Sequence, residues 1–166
     1  APSISCPASQ SVNTTGSTCA SAAVSYTTPT AMDNCPSPAP AVTRTGGLAS
    51  GSLFPKGTNT VIWRAMDGAG NTKTCSFTVT VTDNVAPSIT CPGNIAVTAA
   101  PGQCSTVATY TTPTATDNCG VASVVLTGGL ASYSIFPEGV TTNTWRAMDD
   151  SGLTTTCTFT VTVSCG

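Results

Sequence analysis

The segment CSFTVTVTD, Cys75 to Asp83, alternates apolar and polar side chains from Cys75 to Thr82. Phe77, Val79 and Val81 fall on one face, and threonines fall on the other. A period of two residues indicates a β-strand with one buried face. The same pattern returns as CTFTVTV from Cys157. The chain therefore contains the same half-buried strand twice.

Reading outward from these two strands shows that the whole chain is duplicated. WRAMDGAGNTKTCSFTVTV at 63–81 returns as WRAMDDSGLTTTCTFTVTV at 145–163. GGLASGSLFPKG and TTPTAMDNC also return, as GGLASYSIFPEG and TTPTATDNC, in the same order. A fixed order of repeated segments is typical of tandem structural units. We expect two modules, 1–84 and 85–166, joined near the segment DNVAPS.

The composition limits the compartment and the partners. The 166 residues include nine cysteines and no histidine, only 7% are charged, and the net charge is −2. Cysteine-rich small domains are typical of oxidising compartments, which predicts an extracellular or cell-surface location. So weak a charge offers no electrostatic surface for nucleic acid or an anionic membrane. No apolar run reaches the length of a membrane-spanning helix, so we expect no membrane insertion.

The remaining segments also indicate strands. In TVIWRAMD one face carries Val61, Trp63 and Ala65, and the other carries Ile62, Arg64 and Met66. The DGAGN that follows is typical of a hairpin turn. Proline and glycine interrupt the chain at short intervals, and no segment carries a helical stripe. Short strands separated by turn signals favour an all-β sandwich.

The combined motifs resemble a known family. The pattern P-x-I-x-C-P, P-T-A-x-D-N-C, F-P-x-G, A-x-D-x-x-G-N and C-x-F-x-V-x-V is similar to the hyalin repeat (HYR) domain, over both modules. The resemblance implies two tandem immunoglobulin-like β-sandwich domains of an extracellular protein associated with adhesion or matrix. It implies no catalytic activity and no ligand common to the family. The second module departs from the pattern at Leu153, which replaces Asn71, and at Asn143, which replaces the inward-facing Val61 and puts local packing in question.

The cysteines are best explained as disulfides. There is no C-x-x-C pair for zinc and no histidine that could activate a thiol. Four cysteines in each module allow three pairings, which spacing alone does not decide. The strand order of an immunoglobulin-like sandwich favours the pairs Cys6–Cys75, Cys19–Cys35, Cys91–Cys157 and Cys104–Cys119.

Cys165 is the ninth cysteine and has no place in this scheme. An odd cysteine in a secreted protein suggests a partner in another chain, so Cys165 is a candidate for an intermolecular bond. The alternatives are an additional intramolecular disulfide and an unpaired thiol near the chain end.

The acidic residues fall mostly in turns. We expect Asp67 and Asp149 to cap equivalent hairpins, and Asp33 and Asp117 to turn the chain before a cysteine. The alternative for Asp33 and Asp117 is a cation site, but calcium needs six or more oxygen ligands and each motif supplies one aspartate. We therefore predict no metal and no cofactor.

The sequence predicts no catalytic site. It contains no Ser–His arrangement and no glycine-rich phosphate loop. Trp63 and Trp145 lie on alternating strands, which predicts that they anchor the core and do not form sugar-binding platforms. The chain is therefore expected not to be an enzyme.

The favoured hypothesis is a structural repeat module of a stalk, fibre or filament whose partners are like modules in the same or neighbouring subunits. The short linker with Pro87 predicts a semi-rigid joint. The sequon at Asn13 and the outward threonines are candidate sites for glycans. The alternative is an adhesive module whose loops bind a glycan or a protein. Tyrosines are few, and two of the three end a predicted strand, which favours the structural hypothesis over the adhesive one.

Overall fold

The computed structural model describes residues 1–35 and 38–166. The described chain forms two compact units, Ala1–Asn84 and Val85–Gly166. All of its regular elements are β-strands. No helix among the described residues is long and apolar enough to cross a membrane.

The described part of the first unit has eight strands. They are β1 Ser3–Ser5, β2 Gln10–Asn13, β3 Ala20–Val24, β4 Thr30–Met32, β5 Ala41–Gly46, β6 Ser52–Pro55, β7 Gly57–Met66 and β8 Thr72–Thr82. Strands β2, β8, β7 and β5 form a four-stranded sheet in that order, while β1 pairs with β4 and β3 pairs with β6. All pairs are antiparallel except β2 with β8, which is parallel.

The second unit repeats this arrangement. Its strands are β9 Ser88–Thr90, β10 Ile95–Thr98, β11 Ser105–Val107, β12 Thr114–Thr116, β13 Val121–Gly128, β14 Ile135–Pro137, β15 Gly139–Asp149 and β16 Thr154–Ser164. The four-stranded sheet has the order β10, β16, β15, β13, and the short pairs are β9 with β12 and β11 with β14. The same strand order in both units agrees with the duplication seen in the sequence.

The core of each unit lies along the inward face of its last strand. Phe77, Val79 and Val81 of β8 are buried, and the threonines between them are half-buried or exposed. Phe54 and Val61 complete the first core from neighbouring strands and have no exposed surface. Burying a side chain of this size contributes about 1.5–3 kcal/mol. The alternation that predicted a half-buried strand is thus the pattern that builds the core.

Asn143 fits into the second core despite its polarity. It has no exposed surface and takes the place that Val61 has in the first unit. Its Oδ1 accepts a hydrogen bond of 2.7 Å from the backbone N–H of Leu130. Its Nδ2 has no hydrogen-bond partner among the described residues. One of the two polar groups of this amide is therefore satisfied, and the strand keeps its register with β16.

The predicted fold class is confirmed. The chain is all-β, and it forms two immunoglobulin-like units that contain disulfides.

Candidate functional site

Two equivalent hairpins are organised by Asp67 and Asp149, as their turn positions predicted. Asp67 Oδ1 accepts hydrogen bonds from the backbone N–H groups of Ala69, at 2.9 Å, and Asn71, at 2.8 Å. Asp149 Oδ1 accepts the equivalent bonds from Ser151, at 2.7 Å, and Leu153, at 2.9 Å. Each aspartate thus holds the loop between the last two strands of its unit.

The second oxygens of these two carboxylates, both Oδ2, differ in their hydrogen bonding. Asp67 Oδ2 accepts a hydrogen bond of 2.8 Å from Asn71 Nδ2. The hydrogen bonds from Asn71, first of all that of its side chain, lower the pKa of Asp67 below its ordinary value. Leu153 replaces Asn71 in the second unit, and Asp149 Oδ2 is buried without a hydrogen-bond partner among the described residues. The departure seen in the sequence therefore removes a donor from a buried carboxylate.

Asp33 and Asp117 lie in turns that each follow a short strand. Asp117 Oδ2 accepts a hydrogen bond of 2.7 Å from the backbone N–H of Cys119, which is the predicted turn geometry. Asp117 Oδ1 is buried and has no hydrogen-bond partner within the described part of the chain. Asp33 Oδ1 lies 3.6 Å from the amino group of Ala1.

In each unit one disulfide joins the beginning of the unit to its last strand. Cys6 bonds to Cys75, with a Cα–Cα distance of 5.7 Å, and Cys91 bonds to Cys157, with a Cα–Cα distance of 5.8 Å. These are the two long-range pairs that the sandwich topology favours. They connect the residue after the first short strand to the strand that carries most of the core.

The predicted pair Cys104–Cys119 was wrong, and so was the intermolecular role of Cys165. Cys104 bonds to Cys165, with a Cα–Cα distance of 4.2 Å. The chain end makes this contact possible because Ser164 and Gly166 pair through their backbones with the loop at 99–103. The additional intramolecular bond, weighed as an alternative for Cys165, is the arrangement found.

The predicted pair Cys19–Cys35 was also wrong, because Cys35 is free and exposed. In the first unit Asp83 stands where Cys165 stands in the second. Asp83 is buried, accepts a hydrogen bond of 3.2 Å from Thr14 Oγ1 and lies 3.9 Å from Lys56 Nζ. Polar contacts therefore hold the end of the first unit at the position where a disulfide holds the end of the second.

The two tryptophans lie against the cores. Trp63 and Trp145 are half-buried and pack on the core clusters of their units. Tyr110 contacts Trp145 edge-on, with 6.4 Å between ring centroids, and burial raises the pKa of Tyr110. Their packing on the cores is the position predicted for them.

An exposed apolar patch lies on the second unit and was not predicted. Tyr133 is 78% exposed, Ile135 is 66% exposed, and Val107, paired with Ile135 across β11 and β14, is 53% exposed. Tyr133 has a backbone φ of +70°, and Gly51 takes this position in the first unit with φ +83°. A bulky residue in the left-handed region is uncommon. The sequence signal for this exposed residue was the replacement of Gly51 in the first repeat by Tyr133 in the second.

The sequon residue Asn13 is exposed at the end of β2. Strand β2 lies at the edge of the four-stranded sheet, because it pairs only with β8 in that sheet. A group attached to Asn13 would therefore project from a sheet edge.

Comparison with known proteins identifies the family. The HYR domain model matches residues 1–81 and 82–163, which is nearly the whole chain. The chain is 42% identical over 144 residues to hyalin of Strongylocentrotus purpuratus, covering 85% of this chain and 12% of that protein. It is 40% identical over 147 residues to hyalin of Lytechinus variegatus, covering 86% of this chain and 27% of that protein.

More distant proteins also match. The chain is 32% identical over 160 residues to sushi, von Willebrand factor type A, EGF and pentraxin domain-containing protein 1 of Rattus norvegicus, covering 95% of this chain and 4% of that protein. Among solved structures, human mucin-like protocadherin EC1-2 aligns with 100% of this chain and 99% of its own length, at 12% identity and a TM-score of 0.43. The chain thus spans a minor part of the length of each curated relative.

These matches fix the family and the compartment. HYR domains are extracellular modules of a non-catalytic class, and the predicted extracellular location is confirmed. Since the model matches both halves of the sequence, the chain belongs to the HYR domain family and consists of two tandem HYR domains.

Proposed function

We propose that this chain is part of a structural array outside the cell, in which HYR domains serve as the repeating units of a stalk, fibre or filament. The observation that supports this role is the covalent closure of each unit. Cys6–Cys75 and Cys91–Cys157 span 69 and 66 residues of units that are little longer. Each disulfide therefore joins the two ends of a domain.

Such closure protects a domain from tension along the chain. A load applied at the two ends of the first unit passes through the Cys6–Cys75 bond, so the residues between the two cysteines cannot be extended. A fully stretched residue spans about 3.4 Å. A disulfide that closes 69 residues therefore prevents roughly 230 Å of chain from being extended. Resistance to extension is a property that suits a load-bearing repeat.

The structural role is tested by electron microscopy of the native, unfragmented material, labelled with an antibody raised against residues 1–166. Regular labelled fibres with an axial repeat of one or two domains are expected. Labelled single particles with no fibres would overturn the proposal. Antibody absorbed with the recombinant two-domain chain is the control for specific labelling.

Glycans are part of this proposal because so few side chains are charged. Asn13 is exposed at a sheet edge, and a glycan there would block pairing of that edge with another strand. The native protein is expected to lose mass on treatment with an N-glycosidase, and the Asn13→Gln protein made in the same source is expected not to. Native protein whose mass equals that of its sequence would exclude glycosylation.

An adhesive role is the second candidate, and the exposed patch of Tyr133, Ile135 and Val107 is the observation that favours it. Tyrosine presents a large amphipathic surface, and the strained backbone at Tyr133 is typical of a functional position. A screen against glycans and extracellular proteins should then find a ligand whose binding is lost in Tyr133→Gly. Binding that survives Tyr133→Gly, or no binding in the screen, would count against this role.

A further inference from the structure

We propose that the second domain binds an uncharged oligosaccharide in a groove beside Tyr133. This inference rests on the adhesive role and names the class of ligand for that site. The groove has a volume of about 390 Å³, within the usual size of small-molecule sites, about 300–1,000 Å³. It lies between the beginning of β10 and the segment that follows β11, and its lining includes Pro92, Ile95, Thr109, Thr111 and Tyr133.

The backbone of Tyr133 is fixed, while its ring is available to a ligand. The N–H of Tyr133 donates to the carbonyl of Ala108 at 2.9 Å, and the neighbouring Ser132 Oγ accepts a hydrogen bond of 2.8 Å from the N–H of Tyr110. Tyr133 is largely exposed and takes part in none of the ring contacts of the described residues. A tyrosine held in this way offers a large contact area at a low cost in conformational entropy.

The first domain has a side chain that bridges the same two segments. Gln10 Nε2 donates to the carbonyl of Ser25 at 3.3 Å. Ile95 takes the place of Gln10, since the two residues pair with the equivalent valines Val161 and Val79 of the last strands. The side chain of Ile95 has no hydrogen-bond donor. The second domain has therefore lost the bridge across the groove, and at Tyr133 it has gained an aromatic ring beside it.

The lining of the groove is uncharged and rich in hydroxyl groups. None of the five charged residues of the second domain lines it, and Thr109 and Thr111 are both exposed. A threonine hydroxyl both donates and accepts hydrogen bonds, as the hydroxyls of a sugar do. The C–H face of a sugar ring packs on an aromatic ring such as that of Tyr133. Four of the five charged residues are acidic, which disfavours acidic sugars.

A second cavity makes the groove longer than one sugar ring requires. It has a volume of about 270 Å³ and shares Pro92 and Thr111 with the first cavity. Its lining adds three further hydroxyl-bearing residues, Thr90, Thr112 and Thr114. Because the two cavities adjoin, a chain of two or more sugar units can occupy both. We therefore expect an oligosaccharide to bind more tightly than its monosaccharide.

The backbone beside the groove disfavours an added peptide strand. Such a strand binds through a row of open N–H and C=O groups. The N–H groups of Tyr110 and Tyr133 are already bonded within the domain. The observations therefore favour a sugar over a peptide.

The test is NMR titration of the intact, disulfide-bonded two-domain chain, with isotope labels in the backbone and in the tyrosine rings. The probes are cellotriose, mannotriose, maltotriose and triacetylchitotriose, each beside its monosaccharide, and sialyllactose as an acidic sugar. At least one uncharged trisaccharide should shift the signals of Tyr133, Thr109 and Thr111 in a saturable way. Its monosaccharide and sialyllactose should bind more weakly.

Two variants restore residues of the first domain. Tyr133→Gly removes the ring and should weaken binding at least about tenfold, or 1.4 kcal/mol. Ile95→Gln returns the donor that bridges the groove, removes no hydroxyl, and should weaken binding about threefold, as one neutral hydrogen bond would. Val140→Thr, which changes an exposed apolar residue outside the groove, is the matched control and should bind as the parent does. Near-UV circular dichroism verifies that the variants fold.

The proposal is overturned if no trisaccharide gives saturable shifts at about 10 mM, where even a site with a dissociation constant of about 1 mM is mostly filled. Binding that is unchanged in Tyr133→Gly, or binding of sialyllactose alone, overturns it equally. A protein ligand that requires Tyr133, found without any bound sugar, would overturn this proposal and leave the adhesive role standing. The absence of every ligand, here and in the wider screen, would remove both.

Discussion

At the scale of single residues, the two domains differ most at the hairpin aspartates. Asp67 and Asp149 hold equivalent loops through Oδ1. Asn71 donates to the second oxygen of Asp67, whereas Leu153 has no donor and Asp149 Oδ2 has no hydrogen-bond partner among the described residues. One substitution in a duplicated hairpin thus separates a turn cap whose two oxygens both accept hydrogen bonds from one in which a single oxygen does. Only the comparison of the two copies makes this difference visible.

The hydrogen bonds from Asn71 to Asp67 make the stability of the first domain depend on pH. Because the pKa of Asp67 is lower in the folded than in the unfolded protein, its ionised form stabilises the fold. That stabilisation is complete at a pH above the pKa of aspartate in the unfolded chain, about 3.9. It is lost as the pH falls through the lower pKa of Asp67 in the folded protein. Asn71→Leu should raise the pKa of Asp67, as measured by NMR titration of its carboxyl carbon. The control Thr72→Leu, in the same hairpin, should leave it unchanged, and an unshifted pKa in Asn71→Leu would contradict the assignment.

Tyr133 gives a second prediction at this scale. Its φ of +70° is a conformation that glycine adopts freely, whereas other residues lose about 1–2 kcal/mol there. Tyr133→Gly and Tyr133→Ala both remove the ring, but only glycine relieves the strain. In urea denaturation Tyr133→Gly should be more stable than Tyr133→Ala by about 1 kcal/mol. Equal stability of the two variants would argue against a strained backbone.

At the scale of elements, the sequence was most informative where a strand packs on one side only. Strands β8 and β16 follow the predicted alternation, because a half-buried sheet imposes its period of two on the side chains. The hairpin positions of Asp67 and Asp149 were predictable for a similar reason, since the turn bonds are local. Trp63 and Trp145 lie on the cores as their strand positions predicted.

Contacts between elements distant in sequence were harder to predict. The pairing of Cys104 with Cys165 depends on the path of the chain end, where Ser164 and Gly166 pair with the loop at 99–103. No local pattern encodes that path.

The corrected disulfide is testable directly. Peptide mapping without reduction should recover Cys104 linked to Cys165, and should find no covalent dimer through Cys165. Closing a 61-residue loop contributes up to about 4 kcal/mol in the chain-entropy model, so Cys104→Ala with Cys165→Ala should destabilise the second domain by about 2–4 kcal/mol. Recovery of Cys104 linked to Cys119 would contradict the structure and restore the first interpretation of the sequence.

At the scale of the whole molecule, the chain consists of two copies of one closed domain. Each copy has the same strand order, and each has a disulfide from the residue after its first short strand to its last long strand. The two copies differ in charge: the first domain carries four basic and three acidic side chains, and the second carries one basic and four acidic. The common framework suits a structural repeat.

The central claim is that the disulfides make each domain resistant to tension, and single-molecule force spectroscopy tests it most directly. The chain is stretched from its first residue to its last, oxidised and then reduced. The oxidised chain should lengthen little, and reduction should add roughly 230 Å of contour length per domain. An oxidised parent chain that already yields two full-length events would contradict the account.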